Sequence, residues 1–195
     1  SNSVIEKFEV VLNDNKFDEK CNGKVKYEKN GNTYTFKGKA AHGSVPWEGE
    51  NAALYALQKI AAVYDEPNLK KLWNCLNDPR GKGMNADFHS KDMGTSSCNV
   101  GIIDYDGNKV SVIVNLRFVE TVTLDDIMDN VKKSLSPFDV TILGVSPLLF
   151  YPLDSVLVST LLETYREETG DFIVNEKDKF IFICNYLYDI DGCKL

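Results

Sequence analysis

The chain has 195 residues, 43% of them hydrophobic, and carries 22 basic against 29 acidic side chains for a net charge of −7. That is enough apolar material for a packed core, and the acidic balance disfavours a broad nucleic-acid surface, which needs a basic stripe. The longest apolar runs, such as residues 145–153 with their two prolines, are far too short to cross a bilayer, so neither nucleic acid nor membrane is an expected partner.

Ser1-Asn2 reads as the remnant of a cleaved tag and is set aside. Val4, Ile5, Phe8, Val11 and Leu12 recur at helical spacing and predict an amphipathic helix, followed by a polar linker over 13–23. Residues 24–28 and 33–39 alternate around Asn30-Gly31-Asn32, which is a hairpin signal. Residues 51–64, rich in Ala and Leu without Gly or Pro, predict a helix. Pro67 then opens another, with Leu69, Leu72, Trp73 and Leu76 on one face.

Residues 77–94 form a long Gly-, Asn- and Asp-rich loop, a length that marks functional or mobile segments. Strands follow over 97–105 and 109–118 around Asp106-Gly107-Asn108. In the second, Val110, Val112, Val114, Leu116 and Phe118 share the core face, so Arg117 points to the other. Thr123 with Asp126 predicts a capping box for the next helix, and 138–143 a further strand. Asp154 is the expected cap of a helix running to Gly170, and residues 172–188 are aromatic and β-like. Between 33 and 144 this order is βαββαβ, so the expected fold class is α/β (α+β): a ferredoxin-like two-layer sandwich with extra terminal elements. No internal repeat is visible.

Chemistry concentrates between the strand at 33–36 and the helix at 51. Residues 38–53 hold three glycines, a proline and His42, one of two histidines in the chain. Loops held by rigid elements on both sides commonly carry binding and catalytic groups. His42 is the candidate catalytic residue, against the alternative of a loop histidine that caps a helix or packs on Trp47. Arg117 is the second candidate, since a guanidinium fork suits bidentate carboxylate binding. His89 reads as a surface residue, Glu167-Glu168 as a solvated helix face, and Gly81-Lys82-Gly83 as too short for a phosphate loop. Two histidines, both in loops, do not make a self-contained zinc site. The five cysteines (Cys21, Cys75, Cys98, Cys184 and Cys193) contain no Cys-x-x-Cys pair and fit a reducing cytoplasm, the expected location.

Gly38-Lys39-Ala40-Ala41-His42-Gly43, followed by Pro46, Gly49, Asn51 and Ala52, resembles a motif of zinc amidohydrolases, above all the PepV-type bacterial dipeptidases. Met93-Gly94-Thr95-Ser96 through Asn99 and Gly101, Asn115-Leu116-Arg117-Phe118, and residues 152–161 are similar to the same type, in the same order. The resemblance covers roughly residues 20–170. It is to the lid, the substrate-covering domain inserted into a catalytic domain that holds two zinc ions.

This resemblance implies that His42 stabilises the tetrahedral intermediate and that Arg117 grips the substrate's C-terminal carboxylate. It implies, as partners, the catalytic domain of a longer parent chain and a short peptide substrate. The family's His-x-Asp zinc motif and Glu-Glu pair have no match, and the lid's Asn-Met-Val-Pro-type segment, which helps hold substrate, is also absent. The chain is therefore expected to hold no cofactor of its own and to be inactive alone, the two zinc ions being implied for the parent. The expected division is 1–23 as a leading helix and linker left from the upstream lid half, 24–145 as the lid domain, and 146–195 as a helix and tail remaining from, or replacing, the catalytic domain. The alternative is a stand-alone ferredoxin-like association module without catalysis.

Overall fold

The computed structural model describes residues 2–21, 27–105, 109–148, 150–152, 154–170 and 186–194. The chain opens with a strand, β1 (Lys7–Val11), where a helix is expected from spacing. Phe8 and Val10 turn inward between outward Lys7, Glu9 and Val11, a period of two that β3 can pair with. The expected linker contains a short helix, α1 (Lys16–Cys21), because Phe17 is fully buried there, edge-on to Tyr34 at 5.1 Å. Strands β2 (Tyr27–Asn30) and β3 (Thr33–Lys37) form the expected hairpin, with Gly31 supplying the positive φ of 58°. The three strands make an antiparallel sheet in the order β1-β3-β2.

Helix α2 (Ala52–Tyr64) lies between two cores. Its Ala52, Ala56 and Val63 pack with Phe17, Tyr34 and Phe36 of the first sheet. Its Leu57 and Ala61 pack with α3 (Pro67–Leu76) into the larger core. After the loop come a two-stranded ribbon, β4 (His89–Ser90) with β5 (Gly94–Thr95), then β6 (Ser97–Tyr105) and β7 (Lys109–Arg117). The turn at 106–108 is outside the described residues. Helix α4 (Leu124–Leu135) starts with the expected capping box: Thr123 accepts from the Asp126 backbone and Asp126 accepts from the Thr123 backbone. Strand β8 (Asp139–Val145) follows. Helix α5 (Val156–Thr169) is capped by Ser155, whose hydroxyl accepts from the Val158 backbone, and not by Asp154. It ends at Gly170 in the left-handed conformation.

The second sheet is antiparallel, in the order β6-β7-β9-β8, where β9 is Tyr186–Lys194. The molecule is thus a mixed α/β fold built on antiparallel sheets, with α2, α3 and α4 contributing the apolar residues that cover one face of the four-stranded sheet. One strand differs from the expected order. The strand at 33–37 belongs to the first sheet, and β9 supplies the fourth strand, between β7 and β8. The reason is pairing: β3 is flanked by β1 and β2 and has no free edge to offer. Of the β-like stretch expected over 172–188, residues 172–185 lie outside the described residues.

Candidate functional site

His42 sits on a closed loop between β3 and α2. Lys39 and Glu50 exchange two backbone hydrogen bonds of 2.9 Å, which pinch the loop at its neck. Gly38 permits this closure, since a Cβ there would lie 2.0 Å from the Glu50 carbonyl oxygen. Within the loop the Val45 backbone N–H donates to the His42 carbonyl, and buried Pro46 starts a short 3-10 turn, Pro46–Glu48. Exposed Trp47 carries the Arg80 guanidinium 5.4 Å from its ring centroid, which ties this loop to the one after α3. Asn51 fixes the exit. Its Oδ1 accepts from the Ala53 and Leu54 backbones, both at 3.1 Å, and its Nδ2 donates to the Val100 carbonyl at 2.7 Å.

The second candidate rises from β7. Val110, Val112, Val114 and Leu116 belong to the core, so Arg117 faces the opposite side, paired in register with Ser97. That side is polar at this end of the sheet. Ser97, Asn99, Asn115 and Arg117 are all buried there, beneath the N-terminal segment and the His42 loop. Asn99 Nδ2 donates to the Ser3 carbonyl at 3.0 Å, and Ser97 Oγ to the Gly43 carbonyl at 3.3 Å. The segment itself is laced to the loop: Gly43 N–H donates to the Asn2 carbonyl at 2.7 Å and Val4 N–H to the Ala41 carbonyl at 2.9 Å. Gly43 leaves room for it, since a Cβ there would come within 3.0 Å of the Asn2 carbonyl oxygen and 3.1 Å of its Oδ1.

These contacts bring His42 and Arg117 to one place, with Asn2 between them. Arg117 Nη2 donates to Asn2 Oδ1 at 2.5 Å, and Asn2 Nδ2 lies 3.1 Å from His42 Nε2. On its far side His42 Nδ1 is 2.7 Å from Ser44 Oγ. His42 is exposed, whereas Arg117 is only 7% exposed. The Arg117 guanidinium also donates through Nε to Asn115 Oδ1 at 3.2 Å, but Nη1 has no hydrogen-bond partner among the described residues. No carboxylate among them pairs with it, and burial alone pushes its pKa down from the ordinary arginine value. Arg117 thus lies on the expected non-core face but is covered by Asn2, without a counter-charge among the described residues rather than without neighbours.

Asn2, which the sequence reading sets aside as part of a tag remnant, is the residue the structure places between the two candidates. The remaining candidates stay apart from this site. His89 is exposed on β4, Glu167 and Glu168 are exposed in the last turn of α5, and Lys82 lies in a short 3-10 turn. Burial raises the thiol of Cys75 and pushes that of Cys98 up to about 12, which makes both inert core residues. Among the described residues no group of three or more His, Cys, Asp or Glu side chains is placed to hold a metal ion. No described helix is long and apolar enough to cross a membrane.

The peptidase dimerisation domain family matches residues 29–140. A protein of Staphylococcus aureus (strain MRSA252) named "Putative dipeptidase" is 30% identical over 145 residues, which is 70% of this chain and 31% of that protein. One of the same name from Staphylococcus epidermidis is 29% identical over the same length. The chain thus spans under a third of the length of these curated relatives.

Proposed function

Since the chain belongs to the peptidase dimerisation domain family, we propose that it is the substrate-covering lid of a cytoplasmic zinc-dependent dipeptidase. Its partners are then the catalytic domain of the parent chain and a short peptide. The two zinc ions this reading implies belong to that domain and not to this chain. The observation that carries the reading is Arg117. Burying a guanidinium without a counter-charge costs several kcal/mol, so a fold that keeps one has a use for it. A substrate carboxylate supplies the missing charge in a bidentate fork. His42, beside it and exposed, then reaches the carbonyl oxygen that becomes negative when water attacks. A donor aimed at that oxygen strengthens as charge develops, which lowers the barrier rather than tightening ground-state binding.

A second reading, an association module, is favoured by a different surface. Leu157, Leu161 and Tyr165 stand exposed at helical spacing on α5, and β8 is an edge strand of the four-stranded sheet. The two readings part on one experiment. On the lid reading, the isolated chain keeps no stoichiometric zinc after dialysis and cleaves no dipeptide, while the full-length parent does both. Two equivalents of zinc or turnover in the isolated chain overturns the lid reading, and a zinc-free, inactive parent leaves the association module.

A further inference from the structure

Two tethers of the His42 loop lead to the start of β6. On one side the Ser97 hydroxyl donates to the Gly43 carbonyl at 3.3 Å. On the other the Arg80 guanidinium lies 5.4 Å from the Trp47 ring centroid. Arg80 stands on a turn with little freedom. Asp78 Oδ1 accepts from the Arg80 and Lys82 backbones at 2.9 and 3.3 Å, and Gly81 N–H donates to the Asp78 carbonyl at 3.0 Å. The turn is fastened to the sheet, since Cys98 N–H donates to the Pro79 carbonyl at 2.8 Å. Cys98 follows Ser97, so Gly43 and Trp47 are both referenced to adjacent positions of one strand. Ser97 pairs in register with Arg117 on the next strand. The place of His42 relative to Arg117 is therefore set by a closed frame, and the contact between Trp47 and Arg80 closes it.

We propose that Arg80 and Trp47 are positioning residues for His42. They form a clasp that holds the far half of the loop against the turn after α3. Core packing does not account for the contact. Both side chains are exposed, and among the described residues no carboxylate pairs with Arg80. A guanidinium is delocalised and weakly hydrated, so it stacks on an indole face where an ordinary surface ion pair would dissolve into water. The contact is exposed, so its loss moves the placement of the loop by about two- to fivefold. Arg117 stands on the sheet itself and keeps its position when the clasp opens. A displaced His42 then slows the reaction of a bound peptide without weakening the grip on its carboxylate. That kinetic consequence rests on the lid reading; the placing of His42 by the clasp does not.

The first test is amide nitrogen relaxation on the isolated chain, which reads backbone order residue by residue. The unsubstituted chain should show the order parameter of rigid backbone, about 0.85, at His42 and along the loop to Gly49. Arg80→Gln removes the cation and Trp47→Ala removes the ring; each should lower the order of His42 and of the loop. Arg80→Lys keeps a cation over the ring and should stay close to the unsubstituted chain. The β4–β5 ribbon is the internal control and should not change, with circular dichroism confirming an unchanged fold. An unchanged order parameter at His42 in Arg80→Gln overturns the clasp. The second test uses the full-length parent with its zinc. Arg80→Gln should lower kcat about two- to fivefold and leave KM for a free dipeptide as it is. Combined with Trp47→Ala it should cost no more than either change alone. In a His42→Ala background it should cost nothing, because Arg80 acts through that residue. The same loss in both backgrounds overturns the positioning of His42. A parent with neither zinc nor turnover removes the lid reading, and the relaxation measurement then decides the clasp by itself.

Discussion

Asn51 donates its side-chain amide to the Val100 carbonyl at 2.7 Å, at the point where the β6–β7 register shifts between Val100 and Ile102. Asn51 gives that carbonyl a donor while capping α2 with the other end of the same side chain. The helix and the sheet are therefore pinned together at the exit of the His42 loop. Asn51→Ala should lose the cap, about 1 kcal/mol, and strand the carbonyl for about 1–3 kcal/mol more. Asn51→Ser, which can cap but is too short to reach Val100, should fall between. Urea unfolding with an unchanged slope measures both; equal stability of the Ala and Ser variants would mean the tether contributes nothing.

Arg117→Lys in the full-length parent keeps a charge but loses the fork. The fork's charge-assisted bonds are worth about 1.5–3 kcal/mol, so KM for free dipeptides should rise about tenfold or more. C-terminally amidated peptides should show little change. A steady-state comparison of the two substrate sets decides, and equal effects on both would remove the carboxylate role.

His42→Ala in the parent should leave folding and zinc content as they are, since the ring is exposed and its polar contacts are Asn2 and Ser44. Loss of one oxyanion donor typically costs about 10²–10³ in rate. The fall should appear in kcat with KM nearly constant. Near-normal turnover would return His42 to a structural role.

Cys98 makes the stability pH-dependent on the alkaline side. Burial holds its thiol near 12, against an unfolded value of about 8.5. Below the unfolded value both states keep the proton and the stability is fully present. Above it the unfolded chain releases a proton that the folded chain retains, so stability falls by about 1.4 kcal/mol per pH unit. Cys75, raised in the same direction, adds to the slope. Cys98→Ala should flatten the decline between about pH 9 and 11 whatever it does to stability at pH 7. Urea midpoints across that range measure it, and an unchanged slope would show that Cys98 does not drive the fall.

Elements whose pattern is local were legible in the sequence. The hairpin at Gly31, the helices beginning at Ala52 and Pro67, the Thr123 capping box and the alternation of β7 each follow from residues within one turn or one strand. The first strand was not, because Val4, Ile5, Phe8, Val11 and Leu12 satisfy a helical period, and the choice is made by β3, where Lys7 pairs with Lys37. For the site, strand alternation placed Arg117 on the non-core face, but nothing within β7 shows that Asn2, 115 positions away, covers it. The polar strip of Ser97, Asn99 and Asn115 was visible as residues and not as a surface. Its partners outside the sheet are the backbones of Ser3 and Gly43, which no side-chain pattern announces.

The place of β9 has a consequence for how the molecule is made. Strands β6 and β7 can zip together as soon as both have left the ribosome, since they are neighbours in sequence. The other edge of β7 waits for residues 186–194, and β8 cannot close on it meanwhile because β9 lies between them. During translation that edge presents unpaired N–H and C=O groups along Val110, Val112 and Val114, a template for the same strand of a neighbouring nascent chain. Slow arrival of the last strand, rather than weakness of the finished sheet, is the stage at which this chain is most exposed to aggregation.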